Sequence, residues 1–373
     1  MRTALAALAA LAVAMGIGRF AFTPILPMMQ ADAGLSMAAG SWLASANYFG
    51  YLVGALSAIG LRLRPATAIR AALLAIGVST LAMGLEKDFL VWVVMRTVAG
   101  IASAWVLVFV SAWALERLAE LGRPQMSGVV YAGVGAGIAA AGGVCLFLMR
   151  LHAGSSAAWL LLGIASLGAT AFLWNVFDTK IAARSTHAPP MQAVFKFWPL
   201  VVAYGFYGYG YIIPATFLPA MARDALGDPD LFGWAWPAFG AAAVASTLFA
   251  SRLARFMSPR AIWIGCHLAM ALGVVIPLFV AGLAGILLAA LFVGGTFVVV
   301  TQVGLQEARA VAGAQARPLM AAMTSAFALG QIAGPLTLAW LAGAQGGSQG
   351  GFTRPLVVAA ALLALSALAL LRR

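Results

Sequence analysis

Two arginines in this chain stand where a charge is costly. Arg19 lies in GIGRFAFTPILPMM (16–29) and Arg96 opens RTVAGIASA (96–104), both inside long apolar runs. The remaining basic residues and all ten acidic ones fall at the ends of such runs or between them. An arginine near the middle of a bilayer costs about 2.5–3.5 kcal/mol on insertion scales. With no carboxylate in the runs to pair with, its compensation must be a cavity, backbone carbonyls or an anion from outside. A guanidinium grips a carboxylate or phosphate through two parallel hydrogen bonds, so the chemistry expected is capture of a small organic anion, foremost a carboxylate. The competing reading has Arg19 reaching outward to the headgroups and Arg96 bonded to neighbouring helix backbone, shaping the bundle only.

Other polar side chains join them. Asn47 lies in SWLASANYFGYLVGAL (41–56) and Gln331 in ALGQIAGP (328–335). In VVAYGFYGYGYIIP (201–214), Tyr204, Tyr207 and Tyr211 fall at i, i+3 and i+7, on one helical face. Their hydroxyls would complete an anion's hydrogen bonds while the rings wall an apolar tail; the alternative is an aromatic belt at the membrane interface. For Gln331 the alternative is an interhelical hydrogen bond. Pro24, Pro27, Pro214 and Pro219 remove backbone donors and are read as bends that let helix ends close over the site. Gly133 and Gly137 form a GxxxG pair, as do Gly50 and Gly54, and predict close helix crossings.

The elements that hold these residues follow from composition. Of 373 residues 64% are hydrophobic and 9% charged, against roughly 25% charged in a soluble domain, which excludes a water-facing surface of this size. Runs of about 20 apolar residues, too long for barrel strands, predict spanning helices. Breaks near 31–41, 62–65, 86–88, 116–123, 150–155, 178–196, 223–230, 252–260, 281–285, 307–317 and 343–354 divide the chain into twelve of them. Sixteen of the 22 basic residues gather on one set of loops and four on the other, which predicts both termini in the cytoplasm of a bacterial-type inner membrane. The basic residues make no stripe, so the net charge of +12 predicts contact with lipid headgroups and not with nucleic acid. Residues 1–20 mimic a secretory signal, yet their counterpart in the second half is a retained helix, so a retained first helix is expected here too. Cys145 and Cys266, inside apolar runs, are read as packing residues without a disulfide.

Depth then groups the polar residues. With helix 1 leaving the membrane near Pro27, Arg19 is about 12 Å deep at 1.5 Å per residue, Asn47 about 12 Å and Arg96 about 10 Å. Three helices thus bring three polar groups to one level in the outer half of the membrane.

The chain also repeats itself. GIGRFAFTPILPMM (16–29) overlies GYGYIIPATFLPAM (208–221), Trp42 meets Trp234 at the same offset, and RPQM (123–126) matches RPLM (317–320). The halves are therefore read as parallel six-helix bundles, 1–176 and 196–373, joined by a cytoplasmic linker at 177–195. A substrate site is expected where repeats meet.

Twelve helices in two parallel halves, RTVAGIASA in helix 4 and YAGVGAGIAAAGG (131–143) in helix 5 resemble the major facilitator superfamily. Together, GIGRFAFTPILPMM, SWLASANYFGYLVGAL, VYAGVGAGIA (130–139) and ALGQIAGP are similar to its YbfB/YjiJ family over nearly the whole chain. The resemblance implies the superfamily fold, with helices 1, 4, 7 and 10 lining a central cavity that Arg19 and Arg96 would face. GLRLRP (60–65) departs from the superfamily's loop pattern by lacking its acid, so gating through that acid is not expected.

The function expected is a secondary transporter moving a small organic anion by alternating access, as a monomer and without cofactor or metal. An exporter of neutral or anionic drugs or metabolites is the alternative. A membrane-embedded enzyme finds no support: His152, His187 and His267 have no acid or nucleophile at ligand or triad spacing. Without a carboxylate at mid-membrane, coupling is by anion exchange, by a proton carried on the substrate, or absent.

Overall fold

The computed structural model describes residues 1–178, 196–226, 229–280, 282–343 and 353–371. Among these, every long element is a helix. In the first half they are α1 (Arg2–Asp32), α2 (Met37–Gly60), α3 (Pro65–Leu85), α4 (Phe89–Glu120), α5 (Ser127–Arg150) and α6 (Ser155–Leu173). The second half holds α7 (Trp198–Leu226), α8 (Pro229–Leu253), α9 (Pro259–Phe279), α10 (Gly282–Ala312), α11 (Ala316–Gly343) and α12 (Thr353–Leu371). Eight helices among the described residues are long and apolar enough to cross a bilayer. Beyond its first two residues the segment read as a linker, 177–195, lies outside the described residues.

Short polar signals start the helices where the apolar runs resume. Ser36, Asp88 and Ser258 accept from the backbone N–H groups of Ala39, Val91 and Ala261 at 3.1, 2.9 and 3.2 Å. Pro65 and Pro259 open α3 and α9 in the first turn, where a missing N–H does no harm. Helix 1 runs on through Pro27 to Asp32, at the break expected near 31–41, because the Pro27 ring removes one donor and leaves the rest of the ladder intact. There the Asp32 carboxylate accepts from the Ser155 hydroxyl at 2.9 Å and from the Ser155 backbone N–H, capping α6.

The packing is the same in both halves. Helix α1 lies on α5 and α4, as α7 lies on α11 and α10; α3 pairs with α6, as α9 pairs with α12. Between halves the main crossings are α5 on α8 and α2 on α11, which exchange under the same pseudo-two-fold relation. In lipid, apolar burial does not drive helices together, so close van der Waals fit must. Glycine supplies it. A Cβ on Gly16 would sit 2.3 Å from the Gly137 Cα, and one on Gly133 would sit 2.1 Å from the Leu8 carbonyl oxygen. Gly208 repeats this fit in the second half, against the Phe327 carbonyl at 2.2 Å. Gly50 and Gly54 do the same for α2 on α4, against the carbonyls of Thr97 and Ile101 at 2.1 and 2.4 Å.

A further stripe was not anticipated. Gly128, Gly135 and Gly142, seven residues apart on α5, face α8 across the half boundary. Their added Cβ atoms would meet Ser251 Oγ at 2.1 Å, the Gly240 carbonyl at 2.6 Å and Pro237 Cδ at 2.9 Å.

Candidate functional site

Helix α1 changes its winding at the site. Residues Ala12–Phe20 form a π-helical segment between α-helical Arg2–Leu11 and Phe22–Asp32. Pro24 has no N–H for the Phe20 carbonyl four residues back or the Arg19 carbonyl five back, so neither ladder closes there. Side chains of α2 and α4 take over. Ser103 Oγ donates to the Ala14 carbonyl at 2.8 Å, and Asn47 Nδ2 donates to the Gly18 and Arg96 carbonyls at 3.3 and 3.0 Å. The Arg96 guanidinium donates to the Gly18 and Arg19 carbonyls, both at 3.4 Å, and lies 4.7 Å from the centre of the Phe22 ring. Arg19, Asn47 and Arg96 thus meet at one level, as the depths predict. Arg96 is held by helix backbone, the competing reading of that residue, in a crevice inside the first half shared with Ser79, Thr80 and Trp159.

Arg19 points the other way, into the boundary between halves, and is 3% exposed. Its Nη2 donates to Gln331 Oε1 on α11. Its guanidinium lies 3.9 Å from the centre of the Tyr51 ring and within 5.6 Å of Phe20, Tyr48 and Phe327. Contact with a desolvated aromatic face contributes about 2 kcal/mol, which offsets part of the burial cost. Two donors, Arg19 Nε and Nη1, remain buried without a partner, and so do Gln331 Nε2 and the Tyr51 hydroxyl. Among the described residues no carboxylate pairs with Arg19.

The tyrosines of α7 face the same boundary. Tyr204, Tyr207 and Tyr211 are 1%, 0% and 2% exposed, which rules out a lipid-facing belt. All three lie around Phe327, with ring centres 5.7, 4.8 and 6.4 Å away. The Tyr207 hydroxyl donates to the Phe297 carbonyl at 2.5 Å. Tyr211, the repeat counterpart of Arg19, stacks on Phe297 at 5.1 Å, and Phe297 in turn meets Phe20 edge-on at 6.1 Å. Phe20, Tyr51, Phe297 and Phe327 were not singled out in the sequence. Phe327 and Tyr51 lie four residues from Gln331 and Asn47, one turn along the same helix face, and that spacing was the available signal.

The remaining candidates separate by role. Gly133 and Gly137 pack α5 on α1 below the site. Pro214 is buried on α7, which runs on through Pro219 to Leu226; the side chain of Pro219 lies outside the described residues. His267 is fully buried, with Nε2 accepting from Trp263 Nε1 at 2.8 Å and Nδ1 3.0 Å from Ser366 Oγ, a structural position in α9. Cys145 and Cys266 are free thiols.

One end of the boundary is closed. At the end carrying most of the basic loops, Gln306 Nε2 on α10 donates to Ser127 Oγ on α5 at 2.5 Å, and Arg317 on α11 lies 5.3 Å from the centre of the Phe109 ring on α4. Gln302 Nε2 donates to Ser251 Oγ at 2.9 Å beside Gly128.

Comparison with known proteins identifies the family and the fold. The family profile described as "uncharacterised MFS-type transporter YbfB" matches residues 11–371. The crystal structure of the human organic anion transporter MFSD10 (TETRAN) is similar with a TM-score of 0.72 and 16% identity, covering 99% of both chains. At that identity the likeness speaks for the fold. No curated protein sequence matches.

Proposed function

The chain belongs to the YbfB family of MFS-type transporters, a multi-pass membrane protein that moves a small molecule, and on that premise we propose that the molecule is an organic anion held by Arg19. The observation that carries this reading is the Arg19 guanidinium itself, buried between the halves, with two unpartnered nitrogens and no carboxylate partner among the described residues. Free donors with one positive charge are complementary to an acceptor-only anion. The structurally similar MFSD10 is an organic anion transporter, which is in keeping with this reading, but at 16% identity the argument rests on the residues.

Arg19 is the hook in this reading, and Gln331 Nε2 and the Tyr51 hydroxyl complete the grip. The tyrosines of α7 wall the far side. Arg96 and Asn47 hold the π segment of α1 in the shape that presents Arg19. Transport runs by alternating access: the crossings of α5 on α8 and α2 on α11 rock, and the basic end, now closed, opens to the cytoplasm. The monomer is the working unit, lodged in the inner membrane with both termini in the cytoplasm. Titrating the purified protein with small carboxylates tests the central part. Arg19→Leu should reduce affinity by about a hundredfold, the scale of removing a buried charged partner; unchanged affinity would contradict the role of Arg19.

A further inference from the structure

We infer that the anion is an aromatic monocarboxylate, its carboxylate on Arg19 in the place of the Gln331 amide oxygen and its ring among Phe20, Phe297, Phe327 and Tyr211. This rests on the anion reading above and narrows it.

The charge sets the valence. Of the two intramembrane guanidinium groups only Arg19 turns its free N–H groups to the boundary, whereas both terminal nitrogens of Arg96 are occupied by carbonyls of α1. A monoanion neutralises Arg19. The second carboxylate of a dianion would be buried without a terminal N–H of Arg96 to take it, at a penalty of several kcal/mol. The donors set the head group. Arg19 Nε is unpartnered and shares an edge of the guanidinium with Nη2, so a carboxylate that displaces the Gln331 oxygen meets both in a bidentate grip, with Gln331 Nε2 a further unpartnered donor. The Gln331 oxygen already sits on Arg19 Nη2, in the position an incoming carboxylate oxygen would take.

The rings set the remainder of the molecule. They come from α1, α7, α10 and α11 and touch one another in the offset and edge-on arrangements that aromatic pairs prefer. Tyr211 stacks on Phe297 with an interplanar angle of 12°, and Phe20 meets Phe297 at 86°. A substrate must part these rings to enter. An aromatic ring restores the stacking and edge contacts that it interrupts, while an alkyl group of equal size restores only the buried area. Nothing charged other than Arg19 contacts this cluster among the described residues.

The test is isothermal titration of the full-length protein in detergent with benzoate, phenylacetate, cyclohexanecarboxylate, acetate, terephthalate and benzamide. Benzoate or phenylacetate should bind at least about tenfold more tightly than cyclohexanecarboxylate, the order of one or two ring contacts. Terephthalate should bind more weakly than benzoate. Phe297→Leu should bring the aromatic and alicyclic acids to within about twofold of each other; if that variant does not fold, Phe20→Leu serves. Equal or tighter binding of cyclohexanecarboxylate, or of acetate alone, would overturn the aromatic inference and leave the anion reading standing. Benzamide binding as tightly as benzoate would overturn the anion reading itself, and so would failure of every acid to bind.

Discussion

A buried guanidinium needs acceptors, and among the described residues Arg19 donates to a neutral amide. Gln331 takes one of its N–H groups and leaves Nε and Nη1 free. Converting that amide to a carboxylate gives the first prediction. In Gln331→Glu the protein supplies its own anion, and an external one must break a buried, hydrogen-bonded ion pair, which costs about 3–5 kcal/mol. Calorimetry should show carboxylate affinity lowered at least about a hundredfold; retained affinity would mean the anion does not use Arg19. The second prediction separates the two arginines. Arg96→Leu strands the Arg19 carbonyl and leaves the Gly18 carbonyl to Asn47 alone, a loss of about 1–3 kcal/mol that thermal unfolding should register. Carboxylate affinity should stay within about threefold. A loss as large as that of Arg19→Leu would instead put Arg96 in the grip. The cost of both charges was legible in the sequence, and so was their common level with Asn47. Which one faces the boundary was not, because the direction of each guanidinium depends on side chains from other helices: Tyr51 and Gln331 for Arg19, and the carbonyls of α1 for Arg96.

At the scale of elements, the winding of α1 and the glycine faces of α5 set how the helices meet. The breaks between helices and the GxxxG crossings could be read from apolar run length and glycine spacing. The π segment could not, since it arises where Pro24 withholds a donor and α2 and α4 happen to supply Asn47, Arg96 and Ser103. The stripe of Gly128, Gly135 and Gly142 was visible as spacing, but its partner α8 was not, because the contact crosses the half boundary. Backbone contact there makes the third prediction. A Cβ at Gly135 would meet the Gly240 carbonyl at 2.6 Å and the Val244 nitrogen at 2.7 Å, so Gly135→Ala pushes α5 and α8 apart. In the alternating-access proposal this disfavours the state closed at the basic end. A cysteine placed at Ser251, with Cys145 and Cys266 replaced by alanine, should then be alkylated several-fold faster than with Gly135 intact. An unchanged rate would show that this crossing does not govern opening.

Over the whole molecule the sequence repeat and the structural repeat agree, with α1 on α5 matched by α7 on α11 and the α5–α8 and α2–α11 crossings exchanged. The chemistry does not follow the symmetry: Arg19 in the first half is answered by Tyr211 in the second, so the charge comes from one half alone. The proposed orientation is itself testable. Single cysteines at Arg64 and at Asp88 sit on loops at opposite ends, and an impermeant thiol reagent added outside intact cells should label only Asp88→Cys. Labelling of Arg64→Cys alone would invert the assignment.

The most direct measurement is a thermal-stability screen of the purified protein against carboxylates, phosphonates, sugars and amines, repeated with Arg19→Leu. A ligand at 100 times its dissociation constant stabilises a protein by about 2.7 kcal/mol. The account predicts stabilisation by carboxylates that disappears in the variant, with no response to amines or sugars. Stabilisation by amines or neutral compounds alone, or by carboxylates equally in both proteins, would contradict it.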